Sequence, residues 1–155
     1  ILVHKDIAKS LLPTLINALN AQACEVRGCE KTMHYSDSIT NADDSDWSTE
    51  YLLPIVSIKI VDDIDEAIGH IDTFSSGHTE SIITEDLNNA SRFQQELDSA
   101  IVMHNTSTQF ADGGEFGLGG EIGIATGKFH ARGPVGINQL TSFKYLVNGN
   151  GHVRP

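Results

Sequence analysis

The chain has 155 residues, and its 10 basic and 21 acidic side chains give a formal net charge of -11. That charge would repel the phosphate backbone of a nucleic acid, so nucleic-acid binding is not expected. Hydrophobic residues make up 39% of the sequence, which is typical of a globular domain. No apolar run reaches the roughly 18–20 residues that a membrane span needs, so a membrane protein is not expected either.

Residues 5–21 are predicted to form a helix, because their apolar side chains recur at spacings of three and four. Pro13 has no backbone N–H and disfavours a helix interior, so the helix is expected to start late, with Pro13 in its first turn. The predicted apolar face consists of Ile7, Leu11, Leu12, Leu15, Ile16 and Leu19.

Two strands are predicted in the next part of the chain. A short strand is expected at residues 24–27, and a strand rich in β-branched residues at 55–61. The polar, punctuated stretch between them, residues 30–50, is expected to be a loop with Trp47 as its anchor.

A regular alternation of helices and strands follows. Helices are predicted from about residue 63 to 73 and over 87–97, and short strands over 81–84 and 100–104. Such alternation is typical of βαβ units and predicts an α/β fold with a parallel-rich sheet flanked by helices. The candidate N-caps are Asp62 or Asp63 for the first helix and Asp86 for the second. The second helix is expected to turn Leu87, Ala90, Phe93 and Leu97 inward.

The last part of the chain divides into a glycine-rich tract and a tail. Most of the glycines lie between residues 113 and 136, and residues 140–147 alternate well enough to predict a strand. We therefore expect residues 1–136 to belong to one domain and residues 137–155 to form a separate C-terminal strand and tail.

The glycine-rich tract fits neither standard phosphate-binding motif. Gly117 and Gly119 match a dinucleotide fingerprint, but its sixth position is Ile122, and Lys128 is followed by Phe129 where a P-loop has Ser or Thr. Two interpretations stay open: a loop that packs its backbone closely, or a loop that lines a ligand site.

The remaining polar candidates have structural alternatives of equal or greater weight. Arg132 could clamp an anion or could pair with a nearby carboxylate. The seven histidines form no metal-binding motif, so no metal site is expected. Cys24 and Cys29 show no helix start or glycine turn that would activate a thiol, and two cysteines are typical of a reducing, cytoplasmic location.

Three segments resemble the gamma-glutamyl phosphate reductases, a family of the aldehyde dehydrogenase superfamily. They are Val61–Ile82, Asn105–Gly114 and Glu115–Pro134, and the last, with Glu-Phe-Gly-Leu-Gly and His-Ala-Arg-Gly-Pro, is the most specific. The whole chain resembles the C-terminal part of that family, and the fold it implies is the aldehyde dehydrogenase catalytic-domain type. The sequence departs from the family at three positions, with Phe74 for His or Tyr, Thr106 for Ala and Gln109 for Arg.

The resemblance implies an enzyme that reduces L-glutamate 5-phosphate with NADPH to glutamate 5-semialdehyde in proline synthesis. In the family a Cys thiolate attacks the acyl phosphate, phosphate leaves, and the thioester accepts hydride. That Cys is expected upstream of Ile1, because neither Cys24 nor Cys29 matches it, so the chain alone is expected to be inactive. The alternatives are a non-catalytic oligomerisation or regulatory module and a generic aldehyde dehydrogenase.

The same resemblance assigns roles to individual residues. Glu50 matches the acid that binds the nicotinamide ribose of the cofactor, NADP(H). A C-terminal strand over about residues 141–148 is similar to one that extends a partner subunit's sheet, which implies a homo-oligomer. The residues expected to line the substrate site are Asn105, Ser107, Thr108, Glu121, His130 and Arg132.

Overall fold

Four parallel strands form the first sheet in the computed structural model, which describes all 155 residues. They are β1 (Leu2–His4), β2 (Glu25–Gly28), β3 (Thr40–Asn41) and β4 (Ile55–Val61), in the spatial order β1-β4-β2-β3. β4 lies between β1 and β2, and its register places Val56 opposite Val26. The predicted strand 55–61 is therefore confirmed, and the predicted strand 24–27 lies one residue further along the chain.

Helix α1 (Lys5–Ala21) packs against this sheet through Ala8, Leu12 and Ile16, which recur every fourth residue. Pro13 lies inside the helix on its exposed side, so the expected late start is wrong. A proline at an exposed position removes one backbone hydrogen bond, whereas its neighbour Leu12 is fully buried at 0% exposure. Tertiary packing of the buried stripe outweighs the local cost of the proline.

The segment over residues 30–50 is not a plain loop. It contains the short helix α2 (Glu30–Met33), strand β3 and a 3-10 turn at Asp44–Trp47. The turn is closed by a capping box, in which Asp43 accepts from the backbone N–H of Ser45 at 2.8 Å and Asp46 accepts from that of Asp43 at 2.8 Å. Such short elements lack a periodic pattern, which explains why the sequence predicted a loop.

A second parallel sheet contains β5 (Thr79–Ile82) and β6 (Ile101–His104). Helix α4 (Leu87–Glu96) connects these strands and packs beside helix α3 (Ile64–Phe74). The predicted alternation is confirmed, and so is the α/β class with parallel strands flanked by helices. The strands belong to two separate sheets within this chain.

The capping and core predictions for α3 and α4 are largely confirmed. Asp63 accepts from the backbone N–H of Glu66 at 2.9 Å, and Asp86 accepts from that of Asn88 at 2.8 Å. The apolar core between the helices and the second sheet consists of Ile68, Phe93 and Leu97, with Ala90 also buried. Leu87 does not face inward, because in the first turn of α4 its side chain is 73% exposed.

The glycine-rich tract forms a small antiparallel hairpin of β7 (Gly123–Ala125) and β8 (Gly133–Val135). A 3-10 turn follows at Asn138–Leu140. Residues 141–155 form no strand and are exposed, so the predicted strand over 140–147 or 141–148 is not formed in the single chain. An isolated strand has no backbone partner for its hydrogen bonds, which is the physical reason. None of the helices combines the length and the apolar character that crossing a bilayer requires.

Candidate functional site

Asn105 lies at the carboxyl end of β6, where open α/β sheets bind ligands, with a left-handed φ of 53°. Its side chain bonds to the backbone of Thr84 twice: Oδ1 accepts from the N–H at 2.9 Å and Nδ2 donates to the carbonyl oxygen at 3.0 Å. Asn tolerates the left-handed region better than most residues, which suits it to this turn. Its amide therefore joins the segments that follow β5 and β6.

Ser107 and Thr108 follow directly and are both exposed. The Ser107 hydroxyl accepts from the backbone N–H of Gln109 at 3.2 Å and so caps the 3-10 turn at Thr108–Phe110. The Thr108 hydroxyl makes no hydrogen bond within the chain. Thr108 thus offers a free hydroxyl beside Asn105, whereas Ser107 already has a structural partner.

Glu121 closes the glycine-rich loop upon itself. Its Oε2 accepts from the backbone N–H of Gly113 at 2.8 Å. A Cβ at Gly113 would lie 2.8 Å from the Cβ of Glu121 and 2.9 Å from the carbonyl oxygen of Gly120, so only glycine fits there. These contacts favour the close-packing interpretation for this part of the tract, and the exposed remainder can still line a ligand.

Arg132 pairs with a carboxylate that the sequence analysis did not single out. Its Nη1 donates to Oδ1 of Asp98 at 2.7 Å, and Nη2 donates to the Asp98 carbonyl oxygen. The Lys128 ammonium pairs with the other carboxylate oxygen, and the cations at Lys128 and Arg132 hold the pKa of Asp98 below its ordinary value. Of the two alternatives for Arg132, pairing with a nearby carboxylate is therefore the one found in this structure. No sequence pattern links Asp98 to Arg132, because 34 positions separate them.

His130 is exposed and makes no side-chain hydrogen bond, so its ring is available to solvent. No group of three or more His, Cys, Asp or Glu side chains lies close enough to hold a metal ion. His130 and Arg132 both precede β8, and Asn105, Ser107 and Thr108 follow β6. No hydrogen bond or ion pair joins the first of these groups to the second.

Glu50 lies apart from the other predicted site residues, between the 3-10 turn at Asp44–Trp47 and the start of β4. Its side chain is exposed and makes no hydrogen bond or ion pair within the chain. A free carboxylate can accept hydrogen bonds from two adjacent hydroxyl groups, as in a ribose. The chemistry of this residue therefore fits the predicted cofactor contact, with no geometry to a ligand implied.

A partly buried polar cluster that no sequence motif indicated lies beside Glu50. Asp46 is only 5% exposed, and its Oδ1 accepts from Nη1 of Arg27 at 2.7 Å and from the Tyr51 hydroxyl at 2.8 Å. The pKa of Asp46 is lowered, chiefly because its carboxylate accepts a hydrogen bond from the backbone N–H of Asp43. Burial acts in the opposite direction, and the hydrogen bonds from Arg27 and Tyr51 lower the pKa further. Burial and the Asp46 carboxylate raise the pKa of Tyr51. Only the Asp-x-x-Asp spacing of 43 and 46 hinted at this cluster.

A cleft of about 170 Å³ lies where the two sheets approach each other. Its walls include Trp47, His70 and Phe74, and no predicted site residue lines it. The His70 ring lies 5.4 Å from that of Trp47 and 4.7 Å from that of Phe74, so the departure at Phe74 extends an aromatic contact. Burial, with the nearby charge of Lys59, lowers the pKa of His70. Trp47 is thus an anchor, as predicted.

The two thiols differ in a way that the sequence analysis did not predict. Both are free, but Cys29 follows Gly28 and is the N-cap residue of α2, so the expectation that neither lies at a helix start is wrong for it. Burial raises the pKa of Cys29, but hydrogen bonds with the Thr32 hydroxyl at 3.2 Å and with backbone groups outweigh it and lower the pKa overall.

Comparison with known proteins identifies the family. The aldehyde dehydrogenase family model matches residues 37–146. The chain is 58% identical over its 155 residues to gamma-glutamyl phosphate reductase of Rhodospirillum rubrum, and 53% identical over 154 residues to that of Thermotoga petrophila. It spans 36% and 37% of the length of these two relatives. The predicted position at the C-terminal end of the parent protein is not confirmed by these matches.

Solved structures give the same result. The crystal structure of gamma-glutamyl phosphate reductase from Thermotoga maritima superimposes with a TM-score of 0.93 at 52% identity, over 99% of this chain and 37% of that one. The enzyme of the same name from Saccharomyces cerevisiae gives a TM-score of 0.52 at 27% identity, over 69% of this chain and 28% of that one. With the family model covering most of the sequence, the chain belongs to the aldehyde dehydrogenase family.

Proposed function

We propose that this chain is part of a reductase that converts L-glutamate 5-phosphate to L-glutamate 5-semialdehyde and releases phosphate, a step of proline synthesis. The observation that carries the proposal is the 58% identity, over the whole chain, to a relative named gamma-glutamyl phosphate reductase. The TM-score of 0.93 with a structure of that name supports it. We further propose NADPH as the reductant and the cytoplasm as the location, in keeping with two free thiols.

The proposed reaction begins with attack of a Cys thiolate on the acyl phosphate, so that phosphate leaves and a thioester forms. The bound nicotinamide supplies the hydride that reduces the acyl group. We place the nucleophile outside these 155 residues. Cys24 and Cys29 lie on either side of β2 in the first sheet, whereas Asn105 follows β6 in the second sheet. The chain by itself is then inactive.

The residues of the chain divide into three proposed roles. Glu50 would accept hydrogen bonds from the ribose hydroxyls of the nicotinamide half, because its carboxylate is free. Asn105 would hold the turn from which Ser107 and Thr108 face the substrate. Arg132 would bind the substrate's anionic group only after exchanging its pairing with Asp98, and Glu121 and His130 would line the same end.

The tail over residues 137–155 would join two subunits by adding a strand to a partner's sheet. Exposed apolar side chains follow one another there, which is costly in a chain without a partner. Those within the predicted strand are Phe143, Tyr145, Leu146 and Val147. An extended segment with free backbone groups is the form that strand addition uses. We therefore propose a homo-oligomer.

The test is NADPH formation by the full-length protein from glutamate 5-semialdehyde and NADP⁺, with and without inorganic phosphate. We expect turnover that requires phosphate, because the reverse reaction must rebuild the acyl phosphate. Turnover that is independent of phosphate would assign the protein to aldehyde dehydrogenases that release a free acid. Absence of turnover would favour a non-catalytic module, and arsenate in place of phosphate is a control for the anion requirement.

A further inference from the structure

We propose that Asp46 and Tyr51, held by Arg27, are positioning residues that fix the backbone around Glu50. The inference rests on the proposed role of Glu50 as a cofactor ligand. These three side chains, here called the clamp, connect Asp46, four positions before Glu50, with Tyr51, directly after it. Arg27 links them to strand β2. Glu50 itself takes no part in the clamp, so its carboxylate remains free for a ligand.

Every oxygen of the Asp46 carboxylate has a partner. Oδ1 accepts from Arg27 and Tyr51, and Oδ2 accepts from the backbone N–H of Asp43 at 2.8 Å. Hydrogen bonds to a buried, charged acceptor are stronger than neutral ones, and their loss leaves an unsatisfied group. The cluster therefore restrains one point of the mostly exposed segment between β3 and β4.

Arg27 links this point to the sheet. It lies in the middle of β2, beside the fully buried Val26, and its register partner on β4 is Ser57. Its guanidinium lies 5.1 Å from the centre of the Tyr51 ring, in addition to its bond with Asp46. A cation over an aromatic face is attracted by the ring, so Arg27 holds Tyr51 in two ways.

The stretch between Asp46 and Tyr51 is restrained further by local hydrogen bonds. The Thr49 hydroxyl donates to the carbonyl oxygen of Ser45 at 2.7 Å. Glu50 is thus preceded and followed by residues with fixed side chains. A ligand that binds a preorganised carboxylate loses less conformational entropy than one that must order a loop, so the clamp should increase cofactor affinity.

The experiment compares three single variants, and then a double-mutant cycle with Asp46→Asn, in the full-length protein by fluorescence titration with NADPH and by steady-state kinetics. Tyr51→Phe removes only the hydroxyl, Glu50→Gln tests the proposed ligand, and Tyr35→Phe is the matched control. Tyr35 is half-buried like Tyr51 and packs against the core, but its hydroxyl makes no hydrogen bond within the chain. Hydrogen–deuterium exchange of residues 47–52 reports on the backbone independently of activity.

We expect Tyr51→Phe to raise the NADPH Kd and KM about 3- to 10-fold, the range of one ordinary hydrogen bond, with kcat changed less than about twofold. Exchange over residues 47–52 should become faster. Tyr35→Phe should leave all three measurements unchanged. Adding Tyr51→Phe to Asp46→Asn should cost less than it does in the wild-type protein, because the two residues act as one unit.

The possible failures are distinguishable. If Glu50→Gln weakens NADPH binding but Tyr51→Phe changes neither affinity nor exchange, the positioning role is refuted and the ribose contact stands. If Glu50→Gln leaves NADPH affinity unchanged, the ribose contact fails, and with it the positioning role. If Tyr51→Phe lowers kcat as strongly as it raises KM, the residue acts on more than cofactor binding and the inference is wrong.

Discussion

A substitution at Gly28 would test how closely the core is packed at the end of strand β2, where the first sheet contacts helix α2. A Cβ at this position would lie 2.8 Å from Cγ2 of Ile39 and 2.9 Å from Cβ of Thr32. Neither neighbour can move easily, because Ile39 is 7% exposed and Thr32, at 0%, donates its hydroxyl to the carbonyl oxygen of Ile58 at 3.2 Å. Gly28→Ala should therefore overpack the core.

The expected cost of Gly28→Ala is about 1–3 kcal/mol of unfolding free energy, the usual range for overpacking. For a chain of 155 residues this corresponds to a decrease in Tm of roughly 2–12 °C. Urea and thermal unfolding of the purified chain, followed by circular dichroism, would measure it. A cost of this size exceeds the gain of about 0.4–1 kcal/mol that replacing glycine gives through the unfolded state.

Gly69→Ala is the matched control, since the same methyl group enters the interior of helix α3. A Cβ at Gly69 meets nothing within 4 Å, and the site is exposed. Alanine there should stabilise the protein by roughly 0.5–1 kcal/mol. Opposite signs for the two substitutions are the prediction. If Gly28→Ala is neutral or stabilising, the close approach of Ile39 and Thr32 does not limit this site and the packing argument is refuted.

Two further predictions concern the buried carboxylate and the tail. The pKa of Asp46 is lowered in the folded state, so its contribution to stability is complete above the unfolded pKa of about 3.9 and is lost as pH falls through the folded value. Asp46→Asn should therefore lower the free energy of unfolding at pH 7, and this free energy should fall less steeply below about pH 4 than it does in the wild-type protein. Parallel curves of unfolding free energy against pH for the two proteins would contradict this. In the tail, Leu146→Asp should lower the oligomer mass of the full-length protein measured by light scattering, whereas Val153→Asp, outside the predicted strand, should not. Equal masses for both variants and the wild type would argue against strand addition.

The longer elements of the fold were predictable because each carries a local signal. Strand 55–61 has β-branched residues, and helices α3 and α4 each follow an aspartate that caps them. The outer face of α1 was less predictable, because Ile7 at 48% and Leu11 at 40% exposure are apolar but not buried. Hydrophobic spacing indicates a face without fixing its width, and only the packed sheet shows where the core ends.

The site residues were predictable in type but not in role. The resemblance pointed to Arg132 and Asn105 as site residues. In the structure their side chains form hydrogen bonds with Asp98 and Thr84, which no motif indicates. Their partners lie 34 and 21 positions away, so the chain must fold before the pairing exists. Cys29 is a similar case, since only the formed helix α2 places it at an N-cap position.

The sequence by itself determined the α/β class, the longer helices and strands and the family, because periodicity, caps and motifs are local properties of the chain. The tertiary structure alone decided three matters: the division into two sheets, the position of Pro13 inside a helix and the clamp of Arg27 on Asp46 and Tyr51. Each depends on contacts between residues distant in sequence, whose free energy exceeds the local preference. A strand in the tail depends on a partner for its backbone hydrogen bonds, which a single chain does not supply.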